Sequence, residues 1–312
     1  MKILVAPLNW GLGHASRCVP LVQRLLDEGH EVILGGDGES LTLLRKHFPK
    51  LRYTYLAPLS LRYSKGSRQV FAILRALPKL IRWSMKDHLM LKALLNEEPI
   101  DRVISDNRFG LYNKKTESVY ITHQLHIMLP RGWRWAELIA SRMHARIYMR
   151  YNKVWVPDYA DPQKNLAGAL SHTSAQVEYI GPLSRFQNTP NILNTPNYSV
   201  VAVLSGLEPH RTLLEQEIVA RYTGKEERIL IVQGLMHRPN TRIKRGNITI
   251  VPYMADTELA SALMGARHII ARSGYSTIMD LHALEILDKA ELIPTPGQPE
   301  QEYLATLHNK MQ

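Results

Sequence analysis

The sequence has a single cysteine, Cys18, in 312 residues. That excludes an internal disulfide framework and a cysteine-based zinc cluster, and its apolar helical surroundings suit a small buried side chain better than a nucleophile. No apolar run reaches the ~18 residues of a membrane-spanning segment. Met1–Val5 leads straight into a strand pattern instead of a cleavable leader, so a cytoplasmic protein is expected. Asp-x-Asp occurs nowhere, which removes one ligand set for a metal-held diphosphate; neither a metal nor a cofactor is expected. Short repeats and low-complexity tracts are also missing.

Acidic residues are scarce in one half only. Residues 1–186 hold 27 Lys+Arg against 15 Asp+Glu, whereas residues 187–312 hold 12 against 13, so the net charge of +11 resides in the first half. An anionic partner of that half is implied, and the candidates are lipid, a phosphorylated acceptor or nucleic acid. Residues 62–92 concentrate the effect, with eight basic residues against Asp87 alone. Arg68, Arg75, Lys79, Arg82 and Lys86 recur at helical spacing among Phe71, Leu74, Leu77, Ile81 and Trp83, and Pro78 is expected to kink or split that helix. A solvated helix packed on a sheet is one reading of the segment, and a membrane-facing surface is the other.

The length and the 45% hydrophobic content suit two globular domains. Apolar strands are expected at 2–6, 31–34, 52–56, 102–105, 119–122, 154–157 and 177–180, interleaved with helical stretches beginning with 16–27. This alternation predicts an α/β, doubly wound parallel sheet. The Asn- and Pro-rich stretch 186–197 reads as a linker between a domain at 1–185 and another at 198–312. In the second domain, strands are expected at 199–204, 228–232, 248–251, 268–271 and 291–293, with helices at 209–222 and 302–310.

Several strand ends carry residues suited to chemistry. Gly11-Leu12-Gly13-His14-Ala15-Ser16-Arg17 turns from the first strand into a helix, where glycines allow close backbone approach to a ligand. Taken alone, the turn also resembles a dinucleotide fingerprint, but Asp37 is the only acidic residue near the second strand's end and it is displaced into a Gly-rich turn. His14 suits a general base working near neutral pH, or a structural cap. Asp106, in Ser105-Asp106-Asn107-Arg108 at another strand's carboxyl edge, is placed to orient His14 or to cap the following turn. Gly11, Gly13, Arg17, Asn107 and His123 are the candidate acceptor-binding residues. His123 and His126 lack an evident third metal ligand.

In the second half, Ser205-Gly206 joins a strand to a helix opened by Pro209, and Ser273-Gly274 opens another helix just after Arg272. Helix N-termini favour anions through free N–H groups and the dipole, so both loops are candidate diphosphate cradles. Asp280 is placed to accept from ribose hydroxyls. Gln298, Glu300 and Gln301 follow the neighbouring strand and are candidates for contact with a sugar.

The stretches Ser273–Leu281 and Pro294–Gln301, together with the Gly11–Arg17 turn, resemble glycosyltransferase family 28, whose best-known member is the peptidoglycan N-acetylglucosaminyltransferase. The resemblance implies a GT-B fold, two Rossmann-like doubly wound domains facing across a cleft. It also implies inverting, metal-independent transfer of a sugar from a nucleotide diphosphate sugar, by family default a UDP-sugar, to an acceptor hydroxyl. His14 would be the base, as one of the His–Asp pairs often used in that superfamily, with Asp106 in support. Tyr253 and Met254 would lie beside the donor base. A lipid-linked or anionic acceptor and peripheral contact with the inner membrane face are further expectations. Relative to that family the chain is expected to be short at its C-terminus. A nucleotide-sugar 2-epimerase of the same fold and a non-catalytic lipid- or nucleic-acid-binding protein are the alternatives.

Overall fold

Lys2–Pro7 (β1) is buried at every position after Lys2. A strand with no polar alternation needs both faces covered, which is the situation of a central strand in a parallel sheet. The computed structural model of the protein places it there, and describes residues 1–59, 69–173, 176–187, 198–206 and 208–309. After β1 come α1 (Gly13–Asp27), β2 (Glu31–Gly36), α2 (Gly38–His47), β3 (Arg52–Tyr55), α3 (Gln69–Glu97), β4 (Arg102–Asp106), β5 (Glu117–Ile121), α4 (Glu137–Tyr148), β6 (Lys153–Val156) and β7 (Glu178–Tyr179). The seven strands are parallel in the order β3-β2-β1-β4-β5-β6-β7.

The second sheet draws on β8 (Val200–Val203), α5 (His210–Tyr222), β9 (Ile229–Val232), β10 (Ile243–Arg245), β11 (Ile248–Val251), α6 (Asp256–Gly265), β12 (His268–Arg272), α7 (Tyr275–Ala283), β13 (Ala290–Ile293) and α8 (Pro299–Asn309). Its order is β10-β11-β9-β8-β12-β13, parallel except for β10, which pairs antiparallel with β11. The chain divides into two compact units. One comprises Met1–Asn9 and His14–Leu183, the other Trp10–Gly13 and Ser184–Gln312.

In each sheet the chain winds outward from a central strand in both directions. The reversal lies between β1 and β4 in the first sheet and between β8 and β12 in the second. Open α/β sheets bind ligands outside the carboxyl ends of the strands at such reversals. The residues that follow these four strands are therefore the first place to look for function.

Four sequence expectations need correction. Helix α1 starts at Gly13, not Ser16, so His14 stands in its first turn. Helix α3 continues through Pro78 as one 29-residue element, so the proline does not split it. Helix α8 begins at Pro299, which puts Glu300 and Gln301 in a first turn instead of a polar loop. Strand β10 was not expected, because Ile243-Lys244-Arg245 is wholly exposed and lacks apolar alternation. Most of the expected linker at 186–197 lies outside the described residues.

Candidate functional site

The first sheet's reversal gathers His14, Arg17, Asp106 and His123. Asp106 ends β4 and is fully buried, reached from α1 by two side chains one helical turn apart. His14 Nδ1 lies 2.9 Å from Asp106 Oδ1, and the imidazole remains 17% exposed. Arg17 donates from Nε to Oδ2 at 2.6 Å and from Nη2 to Oδ1, a two-pronged grip on the carboxylate. Arg17 Nη2 is also 3.0 Å from His14 Nδ1, and Nη1 is 3.3 Å from His123 Nδ1. The Cys18 thiol points at Oδ2 from 3.7 Å. Burial by itself would raise Asp106, but the charges and hydrogen bonds of Arg17 and His14 outweigh it and hold the carboxyl well below its usual range. Asp106 is thus a fixed anion.

Two acceptor candidates turn inward. Arg17 is only 1% exposed, so its guanidinium serves Asp106 and not the surface of the site. His123 is buried against the same guanidinium. Asn107 adopts φ 57°, a left-handed conformation uncommon outside glycine, and its Oδ1 accepts from Tyr120 Oη at 2.9 Å. The same hydroxyl sits 3.1 Å from His144 Nε2. Burial lowers His144 to about 4, so this imidazole is neutral at ordinary pH. Gly11, at φ 76°, is where the turn out of β1 requires a residue without Cβ.

A second polar cluster in the first unit went unseen in the sequence. Arg108, 0% exposed, donates to both oxygens of Asp87 at 2.9 Å, to Asp37 Oδ1 at 2.8 Å and to the Ala57 carbonyl at 2.7 Å. Asp37, the residue that a dinucleotide reading would need at a ribose, is also bonded by Asn9 at 2.9 Å. Asp87, counted above as the lone acid of a basic stretch, is buried on the inward face of α3.

At the second sheet's reversal, Ser205 and Gly206 follow β8 and Arg272, Ser273 and Gly274 follow β12. Gly206 has φ 91°, and Gly274 is the N-cap of α7. Arg272 is buried and donates to the carbonyls of Pro294 at 3.0 Å and His210 at 2.7 Å, which ties the ends of β12 and β13 to the start of α5. Burial lowers its pKa, as it does that of Arg211 in the first turn of α5. Among the described residues, Arg272 Nε and Arg211 Nη1 are buried without a hydrogen-bond partner, although Arg211 is paired with Glu208 and, at 3.8 Å, with Glu215. The buried Arg272 cation beside helix N-termini makes this edge attractive to an anion.

Ser273 Oγ donates to the Gln301 carbonyl at 2.8 Å, and Gln301 Oε1 accepts from the Thr295 amide at 2.8 Å. The Gln301 side chain thus helps to fix the turn before α8. Gln298 closes the same turn through its amide, bonded to the Thr295 carbonyl at 3.1 Å, and Glu300 is partly exposed beside it. Asp280, in the second turn of α7, accepts from Ser184 Oγ at 2.6 Å and pairs with Arg185 at 3.5 Å. Burial raises it to about 6, with Arg185 and Ser184 offsetting part of the effect. Met254 is buried, whereas Tyr253 is partly exposed after β11. No group of three or more His, Cys, Asp or Glu able to hold a metal occurs among the described residues.

No family model matches the chain. An uncharacterized glycosyltransferase of Methanosarcina acetivorans is 26% identical over 325 residues, covering 97% of this chain and 82% of the relative. Another from Methanosarcina mazei is 22% identical with the same coverage. The spinosyn rhamnosyltransferase SpnG superposes with a TM-score of 0.62 at 16% identity, over 98% of this chain and 84% of its own. The Streptomyces sp. SF2575 glycosyltransferase SsfS6, complexed with thymidine diphosphate, does so with 0.59 at 13%, over 99% and 86%. The fold is that of the two-domain GT-B glycosyltransferases.

Proposed function

We propose that the protein transfers a sugar from a nucleoside diphosphate sugar to an acceptor hydroxyl, with inversion and without a metal. The observation that carries this reading is the His14–Asp106 contact at the reversal of the first sheet. A partly exposed imidazole backed by a buried carboxylate is suited to take a hydroxyl proton. In the second unit, the amides near Ser205-Gly206 and Ser273-Gly274 and the cations Arg211 and Arg272 would hold the departing diphosphate. Asp280 would receive the ribose, Tyr253 and Met254 the base, and Gln298, Glu300 and Gln301 the sugar. Resemblance to family 28 favours uridine, while the thymidine diphosphate bound to a structural neighbour makes thymidine the second base to try.

The test is thermal stability with UDP, dTDP and their sugars, since a ligand that binds only the folded chain raises its midpoint. At least one nucleotide should do so, and Asp280→Ala should weaken it. A full panel without effect would overturn the donor assignment, and wild-type affinity in a folded Asp280→Ala protein would remove Asp280 from the ribose site.

Peripheral attachment to an anionic membrane, at the cytoplasmic face where acidic lipids attract basic segments, belongs to the same proposal. Helix α3 supports it. Leu77, Ile81, Met85 and Leu89, four residues apart, form one exposed arc. Exposed Arg75, Lys79, Arg82 and Lys86 form the adjoining arc, and Trp83, Asp87 and Leu91 face the core. Arg68, and the side chains of Phe71 and Leu74, lie outside the described residues. On and before α4, exposed Trp135, Leu138, Ile139 and Met143 stand among exposed Arg131, Arg134, Arg142 and Arg146. An exposed apolar stripe flanked by cations fits a bilayer surface better than water. Each cation near such a surface contributes on the order of 1 kcal/mol, so reversing Arg75, Lys79 and Arg82 to Glu should abolish sedimentation with acidic vesicles at moderate salt. Undiminished sedimentation would leave α3 as a solvated helix.

A further inference from the structure

We propose that Ser184 and Arg185 are positioning residues that hold the Asp280 carboxylate open toward a vicinal diol, so that the donor is a ribonucleotide and not its 2′-deoxy counterpart; the inference rests on reading Asp280 as the ribose acceptor. All three residues belong to the second unit. Asp280 stands in the second turn of α7, and 13% of its side chain stays exposed. A ligand can therefore touch the carboxylate, but the direction in which its oxygens face is set by its neighbours. Ser184 is fully buried, so its hydroxyl acts on a ligand only through Asp280.

That hydroxyl has no freedom left. Its Oγ accepts from the Phe186 amide at 3.1 Å, and the Ser184 carbonyl accepts from the Gln187 amide at 3.2 Å, which closes a serine-headed turn. A hydroxyl has one hydrogen to donate, and here it goes to Asp280 Oδ1 at 2.6 Å. Arg185 faces the other oxygen. Its Nη1 donates to Asp256 Oδ1, at the start of α6, at 3.0 Å, and its guanidinium lies 4.9 Å from the ring centre of buried Phe186. Thus anchored, Nε stands 3.5 Å from Asp280 Oδ2, an ion pair without a hydrogen bond. An ionised carboxylate accepts about four hydrogen bonds, two at each oxygen. Ser184 occupies one position on Oδ1 and Arg185 none on Oδ2, so both oxygens keep room for a hydroxyl. The 2′- and 3′-hydroxyls of a ribose, on adjacent carbons, deliver two hydrogens side by side, whereas a 2′-deoxyribose delivers one. A carboxylate already fixed in orientation loses little freedom on meeting such a diol.

The test compares UDP with dUDP by calorimetry, at a mildly alkaline pH where the Asp280 carboxyl, raised to about 6 by burial, is ionised. The adenine and guanine pairs follow if uracil is not the base. The parent should bind the ribonucleotide about tenfold more tightly or better, the worth of one hydrogen bond to a charged group. Ser184→Ala should lower affinity for the ribonucleotide severalfold and leave the deoxy form nearly as before, so that the ratio between them contracts. Ser184→Thr, which keeps the hydroxyl, should retain the parent's ratio. If Ser184→Ala does not fold, Arg185→Gln puts the same question to Oδ2 and should contract the ratio too.

An unchanged ratio in Ser184→Ala, with both nucleotides weakened alike or neither, would make the contact merely structural. Tighter binding of the ribonucleotide would make Ser184 its competitor. Either result overturns the proposal, as does a parent that does not prefer the ribonucleotide, and in all three cases the donor assignment stands. A parent that binds none of the nucleotides overturns the donor assignment and this inference with it.

Discussion

A His14→Ala chain should turn over about 10²–10⁴-fold more slowly than the parent, the usual cost of losing a positioned base. Its affinity for the donor nucleotide should be nearly unchanged, because the residues proposed to hold the nucleotide all belong to the other unit. Asp106→Asn should cost less. It leaves an imidazole in place but removes the negative charge of the group that orients it. The measurement is initial rate at saturating acceptor, with nucleotide binding followed by calorimetry on the same preparations. A near-normal rate for His14→Ala under those conditions would mean that the loop only shapes the acceptor site and that departure of the diphosphate supplies most of the drive.

The second large effect is on stability. Asp87→Ala should destabilise the chain by about 3–5 kcal/mol, because it removes the two-oxygen partner of a guanidinium with no exposed surface. Asp37 and the Ala57 carbonyl would still accept from Arg108, yet one carboxylate at 2.8 Å cannot replace two. The loss would consume a large part of the ~5–15 kcal/mol typical of folded proteins. Glu98→Gln is the comparison. That carboxylate binds Lys2 and Arg52 near the surface, where solvent screens such pairs, so its loss should be felt far less. Urea unfolding, followed through the tryptophans, compares the two variants. A loss under about 1 kcal/mol for Asp87→Ala would show that water replaces the carboxylate and that the cluster is not sealed.

Much of the fold was legible in the sequence because a parallel sheet states itself in short apolar runs separated by helical periodicity. β1, β2, β4, β5, β11 and β12 each carry such a run. The edges were less legible. β10 is three exposed residues, and its only signal was the Gly246-Asn247 turn that joins it to β11. Helix α3 passes Pro78 because packing along Trp83, Asp87 and Leu91 sustains a helix that local propensity would interrupt.

The site was legible to the same depth. Asp106 directly follows a buried strand and His14 follows a glycine turn, so each could be placed at a sheet edge from its neighbours alone. What could not be placed was direction. Arg17 reads as an acceptor-binding cation of its turn until β4 brings a carboxylate from 89 residues away. Arg108 and Asp87 likewise look like surface charges, and only the tertiary fold makes them a buried pair.

The central position of β1 also sets the order in which the chain can assemble during its own synthesis. Lys2 through Val5 pair on one side with β2, available within about thirty further residues, and Ile3 through Pro7 pair on the other with β4, in the register Ile3 to Arg102. At roughly 5–20 residues per second, the flank awaiting β4 stays unpaired for about 5–20 s after β1 leaves the ribosome. An apolar strand edge exposed for that long is a template for wrong pairing. The nascent first unit is therefore the stage at which a holding chaperone would act, and a ribosome-bound fragment ending before Arg102 should expose the edge that the finished sheet conceals.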